Sequence, residues 1–157
     1  MKFSILIIIL NLSNTVFCQV NFDKAPWDNG CDTIDGTQFE MNLCSLERYN
    51  IADSILTLQY NLLVNYLDSS YNAEIISTSP ADKRELVYIT RLKEQKSSLI
   101  EVEKKFIEYR DNFTNIVSNE YYGGSIRPLM INIYALEITV NHLRTLIKLS
   151  EELIPRK

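Results

Sequence analysis

Residues 31–60, CDTIDGTQFEMNLCSLERYNIADSILTLQY, decide how this chain folds. Thr37-Gln38-Phe39-Glu40 is a Thr-x-x-Glu capping box placed where an apolar helical pattern starts. In such a box the Thr37 hydroxyl accepts from the Glu40 amide, and the Glu40 carboxylate accepts from the Thr37 amide. Two donors that every helix start leaves free are thereby satisfied. Beyond the box, Tyr49, Ala52, Leu56, Tyr60, Leu63 and Leu67 recur every three or four residues. That spacing predicts a helix over about 38–67 with one buried face. Cys31 and Cys44 bracket the box with twelve residues between them. A Cys31–Cys44 bridge is expected to pin an irregular leader to this first helix, worth about 3 kcal/mol for so short a loop.

Upstream, residues 1–18 have the pattern of a signal peptide. Met1-Lys2 is a short positive region, and FSILIIILNL is an apolar run too short to span a bilayer comfortably. Val16 and Cys18 suit the positions before a cleavage at Gln19. The rival is a lipid anchor at Cys18. Such signals require a small residue before the cysteine and Phe17 is large, so removal is the expectation. Cleavage leaves Cys31 and Cys44 as an even pair in an exported chain, which favours a disulfide over a metal site. Loss of Lys2 takes the formal charge from −4 to −5. A mildly acidic chain argues against nucleic acid and suits a basic partner. Residues 19–36 carry turn formers without a period and are expected to be irregular. Trp27, the one tryptophan, is expected to pack on the helices near the disulfide.

Downstream, 71–82 is expected to be a connector, with Pro80 signalling the next start. Leu92, Leu99, Phe106 and Phe113 are spaced by seven, with Leu86, Ile89 and Val117 in support, and predict a second helix over about 81–117. Glu103 and Arg110 lie on nearly the same side as that stripe, either reaching to solvent or buried with a partner. Gly123-Gly124 are expected to end this helix through a positive φ, and Ser125 to N-cap a third, with Pro128 in its first turn. Leu129, Ile133, Leu136, Val140, Leu143 and Ile147 are its expected inner face. The expected fold is all-α: a small antiparallel bundle of three main helices, two of them long, with a disulfide-pinned N-terminal leader. The expected divisions are 1–18 signal peptide, 19–36 leader and 37–157 helical domain.

No catalytic set emerges. His142 is the only histidine, which removes most metal clusters and His-based triads, and no phosphate loop, dinucleotide fingerprint or zinc motif occurs. No cofactor and no metal are expected. His142 itself is expected to be a partly exposed side chain or a core hydrogen bonder. Asp53 and Arg110, each at the edge of a long helix's stripe, are expected to form an interhelical ion pair that sets register, rather than a binding surface. Tyr121-Tyr122-Gly123-Gly124-Ser125 is the best candidate for contact with a partner, because aromatics on a tight turn offer binding area at small entropic cost. The same turn also serves simply to join two helices.

Three blocks resemble the LprI-like lysozyme-inhibitor family of exported bacterial helical proteins. The first is Cys31, Thr37, Glu40-Met41, Cys44, Ala52-Asp53, Leu56 and Tyr60. The second is Leu99, Glu103, Phe106, Tyr109 and Arg110-Asp111, similar to the family's Leu, Gln, Trp, aromatic-Arg-Asp. The third is Gly123-Gly124-Ser125 followed by Leu136, Thr139 and Leu146. The departures are specific. Thr114 and Tyr134 stand about where the family carries a second cysteine pair; Thr57 replaces an Asn and Phe106 a Trp; and His142 falls near a usual Arg, with Arg144 offset by two. The resemblance implies an exported, periplasmic or secreted, non-enzymatic binding protein whose partner is a protein, a lysozyme among the candidates. The alternative is an envelope structural or accessory protein that binds another envelope component through its helical faces.

Overall fold

The structure is a computed structural model and describes residues 21–28, 36–77 and 83–154. The expected signal segment 1–18, Cys31 and therefore the expected Cys31–Cys44 bridge lie outside the described residues. A 3-10 turn, Phe22–Lys24, precedes three α-helices: α1 Gln38–Ser77, α2 Lys83–Glu120 and α3 Arg127–Leu153. Among the described residues all regular structure is helical, and each pair of helices packs together.

The start of α1 is built as its residues dictate. Thr37 N donates to Glu40 Oε2 at 2.7 Å, and Glu40 N donates to Thr37 Oγ1 at 3.4 Å. The Thr37 amide, and secondarily its hydroxyl, hold the Glu40 carboxyl below its ordinary titration range. A depressed folded-state pKa contributes stability above the ordinary glutamate range and loses it as pH falls through the lowered value. Glu40→Gln should therefore lower the melting temperature at neutral pH and flatten the acid side of the stability curve; thermal melts between about pH 2 and 7 would check both.

α1 runs ten residues past the expected end at Leu67, to Ser77 and so into the segment expected to be a connector. Asp68-Ser69-Ser70 are weak helix formers, but tertiary contacts outweigh so small a preference. Asp68 Oδ1 accepts from Lys96 Nζ of α2 at 2.6 Å, and Tyr71 packs against the core. α2 likewise extends to Glu120, three residues past Val117.

The core is a line of leucines on α1 (Leu56, Leu63, Leu67) meeting Leu92, Leu99 and Phe106 of α2 and Val140, Leu143 and Leu146 of α3. The inner face of α3 is rotated from the expected one. Ala135, Thr139, Val140, Leu143, Leu146 and Ser150 are buried, whereas Ile133 is 42% exposed and Ile147 half-buried. Two small polar side chains on this face, Thr139 and Ser150, are wholly buried.

Within the described residues the leader is held by side-chain packing. Trp27 is 4% exposed, and its carbonyl accepts from Arg48 Nε of α1 at 2.7 Å; Arg48 also pairs with Asp28 at 3.0 Å. Phe22 lies 5.9 Å from the Trp27 ring and under the Arg144 guanidinium of α3 at 4.9 Å. This short segment thus lies across two helices.

Candidate functional site

The turn between α2 and α3 projects Tyr122, which is 80% exposed, while Tyr121 stays half-buried. The backbone folds back through Tyr122 N to Asn119 O at 3.3 Å and Gly124 N to Tyr121 O at 3.1 Å. Gly123 adopts φ +79°, the left-handed region that side-chain-bearing residues avoid. The expected Ser125 cap is not formed. Ile126 occupies the N-cap position of α3 in a right-handed helical conformation with no side-chain cap, and Pro128 takes the second helical position. With Ile126 already helical in φ and ψ, the turn leads into the helix without an extended capping residue for Ser125 to supply.

Ser125 takes a different part. Its carbonyl accepts from Asn42 Nδ2 of α1 at 3.3 Å. Asn132 of α3 donates to Ser45 Oγ at 3.0 Å and to the Asn42 carbonyl at 3.3 Å. Arg127 clamps the turn from the other side: its guanidinium bonds the buried Ser118 hydroxyl through both Nε and Nη2 and stands 5.4 Å from the Tyr122 ring centroid. The turn is therefore tied to all three helices, so its exposed aromatic side chain sits on a held backbone. Asn42, Ser118, Arg127 and Asn132 carry no signal of this role in the sequence. Each is a single polar residue whose partner lies on another element or across the turn.

A second polar group lies on the helix seam. Arg110 Nη1 of α2 stands 2.5 Å from Asp53 Oδ1 of α1, and the guanidinium lies over Tyr49 at 5.6 Å and Phe106 at 5.4 Å. Phe106 stacks face to face on His142 of α3, with centroids 3.9 Å apart and planes at 11°. His142 Nε2 meets Glu103 Oε2 at 3.0 Å, and both side chains are largely buried. Of the two readings open for His142, the structure takes that of a core hydrogen bonder. Burial, with smaller contributions from nearby carboxylates and opposed by Arg110, raises the Tyr49 phenol above its ordinary titration. Burial, reinforced by Glu103, does the same for Tyr60. These contacts tie the three helices together in a side-chain ladder. Phe113 packs against Tyr134 with centroids 5.8 Å apart, and the Thr114 hydroxyl donates to the Asp111 carbonyl.

Among the described residues, no three of His, Cys, Asp or Glu converge as a metal site, and no helix is long and apolar enough to cross a membrane. What the fold presents is a three-helix bundle with a braced aromatic turn between α2 and α3. The sequence profile of the lysozyme inhibitor LprI family matches residues 31–146, and the chain belongs to that family. The match takes in the capping box, the Asp53–Arg110 pair and the turn. No curated protein and no solved structure matches the chain.

Proposed function

We propose that this protein is an exported, non-enzymatic binder of a lysozyme, working by occupying the enzyme's cleft with the 121–125 turn. The observation that carries this reading is the pairing of membership in a lysozyme-inhibitor family with a narrow turn, braced by Asn42 and Arg127, that holds Tyr122 out to solvent. Tyr121 and Tyr122 supply contact area, Gly123-Gly124 keep the tip thin, and Ser125 offers a hydroxyl at its edge. In this reading residues 1–18 are removed on export to the periplasm or medium, residues 19–36 form the leader, and residues 37–157 are the working domain. Cys31 and Cys44 form the disulfide, and the Asp53–Arg110 pair is structural. The test is a turbidity assay with cell walls and a panel of lysozymes: the protein should slow clearing by at least one of them and clear nothing by itself. Purified exported protein should also show no thiol reactive towards a maleimide before denaturation and reduction.

The second reading, an accessory protein of the envelope, is favoured by the apolar side chains that α1 presents away from the core, including Leu43 and Leu58. Failure to slow any lysozyme, with capture of an envelope component through that face, would favour it instead.

A further inference from the structure

Asn42 stands between the start of α1 and the 121–125 turn, and both ends of its side-chain amide are used. Its Oδ1 accepts from Gln38 Nε2 at 2.9 Å, and its Nδ2 donates to the Ser125 carbonyl at 3.3 Å. The two bonds support each other. Only the NH2 end of the amide can donate to a carbonyl, and Gln38 holds it that way round by donating to the oxygen. Gln38 and Asn42 are four residues apart, so their side chains share one side of the helix. The Asn42 main chain is held as well. Its carbonyl accepts from the buried Ser45 hydroxyl at 2.8 Å and from Asn132 Nδ2 of α3 at 3.3 Å.

Position along α1 makes these bonds conditional. Gln38 is the first residue of the helix, and a helix opens first at its ends, where backbone groups lack partners within it. Here the Thr37–Glu40 box closes that end. The bonds of the box run between Thr37 and Glu40 themselves, so its influence reaches the turn by way of the helix that carries Gln38 and Asn42. When the box opens, Gln38 leaves Asn42, the Asn42 amide is free to rotate, and Ser125 loses its donor.

We infer that the capped first turn of α1 governs the order of the 121–125 turn, with Gln38 and Asn42 as positioning residues that carry the effect. On the reading that this turn enters a lysozyme cleft, ordering it from α1 lowers the entropy lost on binding. Gln38 and Asn42 then strengthen binding by acting through the turn.

Amide hydrogen exchange of the full chain, purified from the exported fraction, tests this with no lysozyme present. The reporters are Gly124 and Arg127, whose amides bond to the Tyr121 and Gly124 carbonyls. Asn42→Ala should speed their exchange about two- to tenfold, the range that one net hydrogen bond supports. Alanine is the better helix former, so this change does not weaken α1 itself. Gln38→Ala and Thr37→Ala should each speed exchange about two- to fivefold, and neither should add to Asn42→Ala in a double mutant. Lys96→Ala removes the ion pair with Asp68, about six turns along α2 from the reporters, and should leave both unchanged. Unchanged exchange in Asn42→Ala overturns the inference. So do effects of Gln38→Ala or Thr37→Ala that persist in full without Asn42. Equal acceleration by Lys96→Ala also overturns it, because the change would then be a global loss of stability.

Calorimetric titration separates this inference from the reading of the turn as the contact. Where Tyr122→Ala weakens binding to a lysozyme, Asn42→Ala should weaken it about two- to tenfold as well, and unchanged affinity removes the positioning role. A lysozyme indifferent to Tyr122→Ala counts against the turn as the contact, and the exchange rates still decide the coupling.

Discussion

Replacing Arg110 with alanine should lower folding stability by about 3 kcal/mol, the scale at which loss of one member of a desolvated ion pair is felt. Arg110 is 12% exposed, with Asp53 beside its Nη1 and the Tyr49 and Phe106 rings against its guanidinium. Its removal forfeits the ion pair and two cation–π contacts, and leaves space between two rings. Asp53→Ala should cost less, about 1–2 kcal/mol. The Asp53 side chain is 38% exposed, so water compensates part of the loss, and Asp111 remains 3.7 Å from the Arg110 Nε. The double mutant should lose less than the sum of the two by about 1 kcal/mol. Urea titrations of the four proteins would show it. Additive losses would mean that the pair contributes no coupling and that Arg110 acts through the rings alone.

Tyr122→Ala should weaken binding to a susceptible lysozyme by about 2 kcal/mol, roughly 30-fold in dissociation constant, if the turn enters the cleft. The same change should move folding stability by less than about 0.5 kcal/mol, because the ring is exposed and Arg127 keeps its bonds to Ser118. Ser125→Ala becomes a cleaner companion than the sequence suggested. The hydroxyl caps no helix, and Ser125 holds Asn42 through its backbone carbonyl, which the substitution retains. Calorimetric titration at low and at high salt would add a second readout. An acidic chain approaching a basic enzyme should bind more weakly as salt rises, and the Tyr122 effect, made at short range, should persist. Equal affinity of wild type and Tyr122→Ala would place the contact away from the turn.

Elements in this chain are legible where a local rule acts within one or two helical turns. The capping box at Thr37 and Glu40 needs only neighbours three residues apart, and it starts α1 in the structure as in the sequence. The glycine pair at 123–124 ends α2 for a comparably local reason, the positive φ at Gly123. The sevenfold line Leu92, Leu99, Phe106 states which side of α2 is inward, because spacing alone fixes a helix face. Asp53 and Arg110 were visible as polar residues on the edges of such faces, and their meeting follows from the antiparallel packing of the two helices that carry them.

Other features depend on distance in space rather than in sequence. α1 continues through Asp68-Ser69-Ser70 because Lys96, on another helix, and the core contact of Tyr71 outweigh weak local preferences. α3 turns the small polar Thr139 and Ser150 inward, which a hydrophobic period does not register. Ser125 caps nothing because Ile126 enters the helix directly, while Asn42, Ser118, Arg127 and Asn132 acquire their bracing role only when three helix ends converge. Sequence by itself determined the helices, the inner face of α1, that of α2 except at Leu86, which is exposed, and the family. Tertiary structure decided the lengths, the rotation of α3 and the rigidity of the turn, because each is settled by the fit between helices that no single segment encodes.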